Sequence, residues 1–283
     1  MRGALTVTAP DTVAVPVGPL CVELRSADSD VLHWATGLRA GARATSPDHA
    51  DFPLTVTVTS KVLSGPTAPT LRVTKAGTEL AYHGLRALVT PTGATALLSV
   101  AGAHVLGAAD VARGQRRLAN LLRLVSETVV TPTPIALHGA GIALGDRGYA
   151  FVGPRGAGKT TLSRRFDVST RLGDDHLWVL PERDGYRLWR TPFAGREGTV
   201  SLAESAPLRA IAVMAQGRAT SARRLSATDA FTRLLPAIVL PWADAAFTAG
   251  ALDRIATLVQ SIPIVALELT LQGPAIAAVE SCL

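Results

Sequence analysis

Residues Gly153-Pro154-Arg155-Gly156-Ala157-Gly158-Lys159-Thr160 follow the pattern G-x-x-x-x-G-K-T, and no other stretch of the chain restricts its fold as tightly. A loop of this kind leaves a strand, curls and enters a helix. Its glycines allow backbone angles that a side chain forbids, and successive N–H groups turn inward to cradle phosphate oxygens. In that cradle Lys159 would set a compact ammonium against the β- and γ-phosphates, and Thr160 would offer a hydroxyl to a magnesium ion. Thr161 continues into the helix, whose positive N-terminal end adds to the anion field. Of the 28 basic residues only Lys61, Lys75 and Lys159 are lysines. A chain so biased toward arginine still carries a flexible point charge in the loop, where a planar guanidinium fork would not do the same work. Residues 153–161 are therefore the expected nucleotide-binding segment, with ATP and Mg2+ as ligands.

The surroundings of the loop narrow the fold further. Ile135–His138, Gly141–Leu144 and Tyr149–Val152 have strand character, and Gly145-Asp146-Arg147-Gly148 is a hairpin turn signal between the last two. The loop thus follows the return strand of an antiparallel hairpin, where the common βαβ nucleotide-binding unit would have a crossover helix. Asp174 and Asp175 stand fifteen and sixteen residues beyond Lys159, just ahead of the apolar Leu177-Trp178-Val179. Adjacent carboxylates at a strand edge project to opposite faces, so one can hold magnesium while the other takes the proton of an acceptor. Taken alone, the pair serves equally well as an acidic cap. His138, before Gly139 at a strand end, is by itself more readily a structural histidine than a catalyst.

Composition excludes several classes. With 48% apolar and 18% charged residues in 283, the chain has ample core for one large domain or two modest ones. The longest uncharged runs, Ala87–Ala109 and Thr128–Gly145, are interrupted by Pro, Gly, Thr and His, so neither is a membrane span. The net charge of +6 invites a nucleic-acid partner. However, the arginines are scattered, in pairs at most, with few aromatics between them, which points away from that class. Cys21 and Cys282 form no metal-ligand pattern, and a reduced, cytoplasmic location is the default.

Along the chain, short strands are expected at Thr12–Val17, Leu20–Leu24, Leu54–Ser60, Leu71–Thr74, Leu80–His83, Leu85–Thr90 and Thr95–Val100. An amphipathic helix capped from Ala27-Asp28-Ser29-Asp30 runs to about Leu38, and Gly114–Thr128 shows helical periodicity with Leu118, Leu121, Leu122 and Val125 on one stripe. Thr131-Pro132-Thr133-Pro134 has the composition of a hinge. The expected organisation is an N-terminal α+β module over residues 1–112 and a loop-bearing core over 113–283. Beyond Asp175 come strands at Trp178–Leu180, Arg187–Arg190, Ile211–Met214 and Ile264–Leu271. Helices start after Ser226, with Asp229 three residues on, and span Asp244–Gln260. The segment Trp189–Arg196 is either a mobile wall around the acceptor or nucleotide or an ordinary surface loop between two strands.

A His-Gly pair, a hairpin, G-x-x-x-x-G-K-T and an Asp-Asp pair within 38 residues together resemble the catalytic half of the HPr kinase/phosphorylase family, whose fold is akin to phosphoenolpyruvate carboxykinase. The pattern is similar in particular to the related kinases that phosphorylate a serine of lasso or other modified peptides. The resemblance covers about residues 133–200, and Gly195-Arg196-Glu197-Gly198 loosely echoes a second family signature. It implies a mixed α/β fold with largely antiparallel sheets and a phosphate-loop core beside a β-rich N-terminal module. It also implies that His138 supports the reacting carboxylates, that Lys159 binds phosphate, and that Thr160 and Asp174 hold metal. One of Asp174 and Asp175 would be the base toward a hydroxyl of a peptide, protein or small metabolite. A homo-oligomer is compatible with this. The alternative is a nucleotide-binding regulatory or recruitment partner without catalysis.

Overall fold

The computed structural model describes residues 11–39, 50–59, 63, 65–66, 69–99, 108–193, 203–239, 245–270 and 272–283. Contacts divide the chain into two compact units, the first reaching Val129 and the second running from Val130 to Leu283. The long helix at Ala108–Val129 therefore belongs whole to the first unit, whereas the expected boundary at 112/113 cuts through it. Among the described residues no helix is long and apolar enough to cross a membrane.

The first unit is a seven-stranded mixed sheet. Its strands are β1 (Asp11–Val17), β2 (Leu20–Ser26), β3 (Ala50–Thr59), β4 (Thr70–Thr74), β5 (Gly77–Tyr82), β6 (Leu85–Thr90) and β7 (Gly93–Ser99), in the order β1-β2-β3-β7-β6-β5-β4. β2, β3 and β7 pair in parallel, and β7 to β4 form an antiparallel meander. Helices α1 (Ser29–Arg39) and α2 (Ala108–Val129) pack against the sheet. The strands alternate as a half-covered sheet must: Leu24, Leu54, Val56, Leu85 and Leu98 are buried, while Thr55, Thr57, Arg86 and Thr95 are exposed. Asp28 starts α1, its Oδ1 accepting from the N–H groups of Asp30 and Val31. The stripe of Leu118, Leu121, Leu122 and Val125 on α2 is fully buried.

The second unit holds an eight-stranded sheet. Its strands are β8 (Ile135–Leu144), β9 (Arg147–Val152), β10 (Arg171–Gly173), β11 (His176–Glu182), β12 (Gly185–Arg190), β13 (Ser205–Gln216), β14 (Ser221–Arg224) and β15 (Ile264–Leu269). Where two strands were expected before the hairpin, β8 is one continuous ten-residue strand. Its first half pairs with β11 and its second half with β9. β13 divides in the same way, between β12 and then β9 and β15. The pairings β8–β11–β12–β13–β9–β8 thus close into a ring, and no strand of it has a free edge along its whole length. Gly139 sits where β8 changes partner. A Cβ there would lie 2.7 Å from the Phe151 carbonyl oxygen, so the close approach of β8 and β9 requires glycine.

The helices of this unit are α3 (Lys159–Ser163), α4 (Ala227–Leu234), α5 (Ala245–Ser261) and α6 (Ala275–Glu280). Ser226 caps α4 as expected, accepting from the Asp229 N–H. Strand β9 has no solvent face. Ala150 and Val152 enter a core with Leu137, Val179, Leu188, Ile211 and, from α5, Ile255 and Leu258. Tyr149 and Phe151 enter another with Ile142, Leu162, Met214, Leu267 and Val279. Phe151 is fully buried, so Phe151→Ala should lower unfolding free energy by about 3–5 kcal/mol, read as a drop in urea midpoint at unchanged m-value.

Candidate active-site cleft

β9, β13 and β15 lie side by side in parallel within an otherwise antiparallel sheet. Their carboxyl ends meet at a cleft of about 1030 Å3. The loop leaves β9 at Val152 and delivers Lys159 to the start of α3. Gly153, Gly156 and Gly158 hold φ of 155°, 85° and 95°, values that demand glycine. At Gly153 the packing adds a second constraint, since a Cβ would stand 2.7 Å from the Met214 carbonyl oxygen of β13.

Of the expected nucleotide-binding residues, Arg155, Gly156, Ala157, Gly158, Lys159, Thr160 and Thr161 line the cleft, while Gly153 and Pro154 form the base of the loop. Lys159 is buried, and its Nζ donates to the carbonyl oxygens of Gly153 at 2.7 Å and Pro154 at 3.2 Å. Burial pulls its pKa below the ordinary lysine value, an effect partly opposed by the negative charge of Asp175.

His138, Asp174 and Asp175 line the same cleft. The two aspartates occupy the bend between β10 and β11 instead of lying within a strand, and both line the one cleft in place of the expected projection to opposite faces. The pairing of His176 with His138 across β11 and β8 carries Asp175 to His138. The His138 Nδ1 to Asp175 Oδ1 distance is 2.9 Å. An ionised carboxylate can only accept, so Nδ1 carries the hydrogen. The Asp175 carbonyl oxygen also accepts from the Gly139 N–H at 3.1 Å, which locks the His-Gly pair to the acidic bend through backbone as well as side chain. The hydrogen bond from His138 is the main cause that holds the Asp175 carboxyl below its ordinary pKa. Burial opposes this, and the charges of His138, His176 and Lys159 assist.

Asp174 differs from its neighbour. Its Oδ1 is buried and has no hydrogen-bond partner, a costly state that a ligand would relieve. Among the described residues no three His, Cys, Asp or Glu side chains are grouped to hold a metal by themselves. Magnesium asks for less, since it keeps several waters and takes one or two protein oxygens together with substrate phosphates. The orphaned Asp174 oxygen and the Thr160 hydroxyl on the same cleft are hard donors of that kind, and they fit it.

Gln216, Gly217, Leu269 and Thr270 also line the cleft, and none of them was expected from sequence. The signal available for them was their place just beyond the apolar runs of β13 and β15, which becomes informative only once those strands are known to run parallel to β9. The segments 194–196 of the expected wall and Gly195–Gly198 lie outside the described residues. No protein-family model matches the chain, and a search of curated proteins returns no match.

The depressed Asp175 pKa contributes stability that is complete above the ordinary carboxyl value of 3.8 and is lost as pH falls through the folded value. His138→Ala should therefore move the Asp175 titration midpoint upward, read by carboxyl carbon NMR. The stability gap between the two proteins should narrow in acid solution, as pH falls through the folded Asp175 value.

Proposed function

We propose that this protein is an ATP- and magnesium-dependent kinase that transfers the γ-phosphoryl group to a hydroxyl, the acceptor being a serine of a peptide or protein or the alcohol of a small metabolite. One observation carries the reading. The loop 153–161 and the acidic bend 174–175, distant in sequence and brought together by the sheet, line a single cleft in which one carboxylate is paired with a histidine and the other has an orphaned oxygen. The antiparallel hairpin ahead of the loop supports a core of the HPr-kinase and phosphoenolpyruvate-carboxykinase kind.

The division of labour follows from the two environments. Lys159 binds the β- and γ-phosphates, exchanging loop carbonyls for phosphate oxygens as partners of its ammonium. Thr160 and Asp174 would hold magnesium, which when bound neutralises phosphate charge. Asp175 faces the acceptor hydroxyl, orients it in line with the γ-phosphorus and receives its proton. A carboxylate kept ionised by His138 is a weak base, but in a loose phosphoryl transition state proton removal lags behind bond breaking, so orientation matters more than basicity. His138 keeps that carboxylate charged and aimed.

Lys159→Ala should lower the rate of phosphoryl transfer by about 10² to 10³ with the fold retained. ATP with magnesium should raise the melting temperature of the wild type and raise that of the variant much less. Equal stabilisation and equal transfer by the variant would exclude residues 153–160 as the nucleotide site. Asp175→Asn should keep ATP binding and lose transfer to a hydroxyl in a mass-shift assay. Transfer at the wild-type rate by that variant would remove the base from this scheme.

A further inference from the structure

The proposed kinase reading accounts for one wall of the cleft and leaves the other, the end of β13, without a task. β13 runs parallel to β9 with Val213 opposite Val152, so its last residues accompany the chain as it turns into the loop. Two contacts result. The Met214 carbonyl oxygen backs Gly153 so closely that no side chain fits between them. Two residues on, the Gln216 side chain reaches the loop and its Nε2 donates to the Gly156 carbonyl oxygen at 2.8 Å. A carbonyl oxygen is only an acceptor, so the amide nitrogen must be the atom that faces it.

We infer that Gln216 is a positioning residue, resting on the nucleotide reading above, that holds the phosphate loop in its anion-ready shape. Gly156 has φ of 85°, and a glycine there is free to leave the left-handed region at little cost. The peptide that follows it therefore has little local preference of its own. Tying the Gly156 oxygen to β13 holds that peptide in one orientation. If the peptide flipped, an acceptor would replace a donor in a cradle built for anions. The strut comes from a strand whose neighbouring residues Ala212 and Met214 are buried, so its base is rigid. Gln216 itself is exposed.

The test compares wild type with Gln216→Met, which keeps length and removes the donor, and Gln216→Glu, which cannot donate and sets a carboxylate beside the loop oxygen. Binding of MgATP and of magnesium tripolyphosphate is measured by calorimetry, and melting temperature is read without ligand. A loop-shaping role predicts unchanged melting temperatures. It also predicts that Gln216→Met weakens ATP and tripolyphosphate alike by about three- to tenfold, as expected for one lost hydrogen bond, and that Gln216→Glu weakens both further. Loss of ATP binding with tripolyphosphate binding intact would mean that Gln216 contacts the nucleoside, and would overturn the inference. So would unchanged affinity for both, or a loss of affinity explained by a lower melting temperature. If the wild type binds neither ligand, the nucleotide reading itself fails and this inference fails with it.

Discussion

The second unit depends on two strands that each serve two pairings. β8 and β13 are long enough to leave one set of partners and join another, and their doubled use closes the ring through β11, β12 and β9. A ring disposes of unpaired strand edges, which otherwise invite association with other chains. It also sets directions. Because β13 meets β12 antiparallel and β9 parallel, three parallel strands end together at one side of an antiparallel framework. The cleft sits at that end, and the loop, the acidic bend and the tip of β13 all reach it.

Much of this was legible in residues. The hairpin signal at Gly145–Gly148 predicted the antiparallel entry to the loop, and Gly145 does take a left-handed φ of 60° there. Apolar alternation located the strands of the first unit to within a few residues, because a sheet with one wet face must write its burial pattern into the chain. The stripe on α2 was equally plain. What failed to show were elements that exist through pairing alone. β10 has three residues and β14 reads Ser-Ala-Arg-Arg, too short or too polar for a pattern, yet each is held by backbone bonds to β8 or β15. The pattern Ile135–His138 then Gly141–Leu144 splits β8 at Gly139, which resembles a break. It is instead the place where two strands approach most closely.

The site was legible by chemistry and illegible in its geometry. G-x-x-x-x-G-K-T and Asp-Asp carry their own meaning in residue type and spacing. Their relation to His138 depends on the register between β8 and β11, which no local pattern encodes. The opposite-face argument for Asp174 and Asp175 assumed strand geometry that the bend between β10 and β11 does not have. The bend makes the two carboxylates chemically unequal by another route, as His138 takes one and leaves the other with a buried oxygen unpaired.

The double burial of β9 has a dynamic consequence. A strand with one wet face can fray or swing with little penalty, and whatever follows it moves too. β9 is clamped from both sides, by Ala150 and Val152 on one core and Tyr149 and Phe151 on the other. Its amides should therefore open only with the whole unit. The sheet thus gives the loop from Gly153 to Lys159 a fixed frame to depart from.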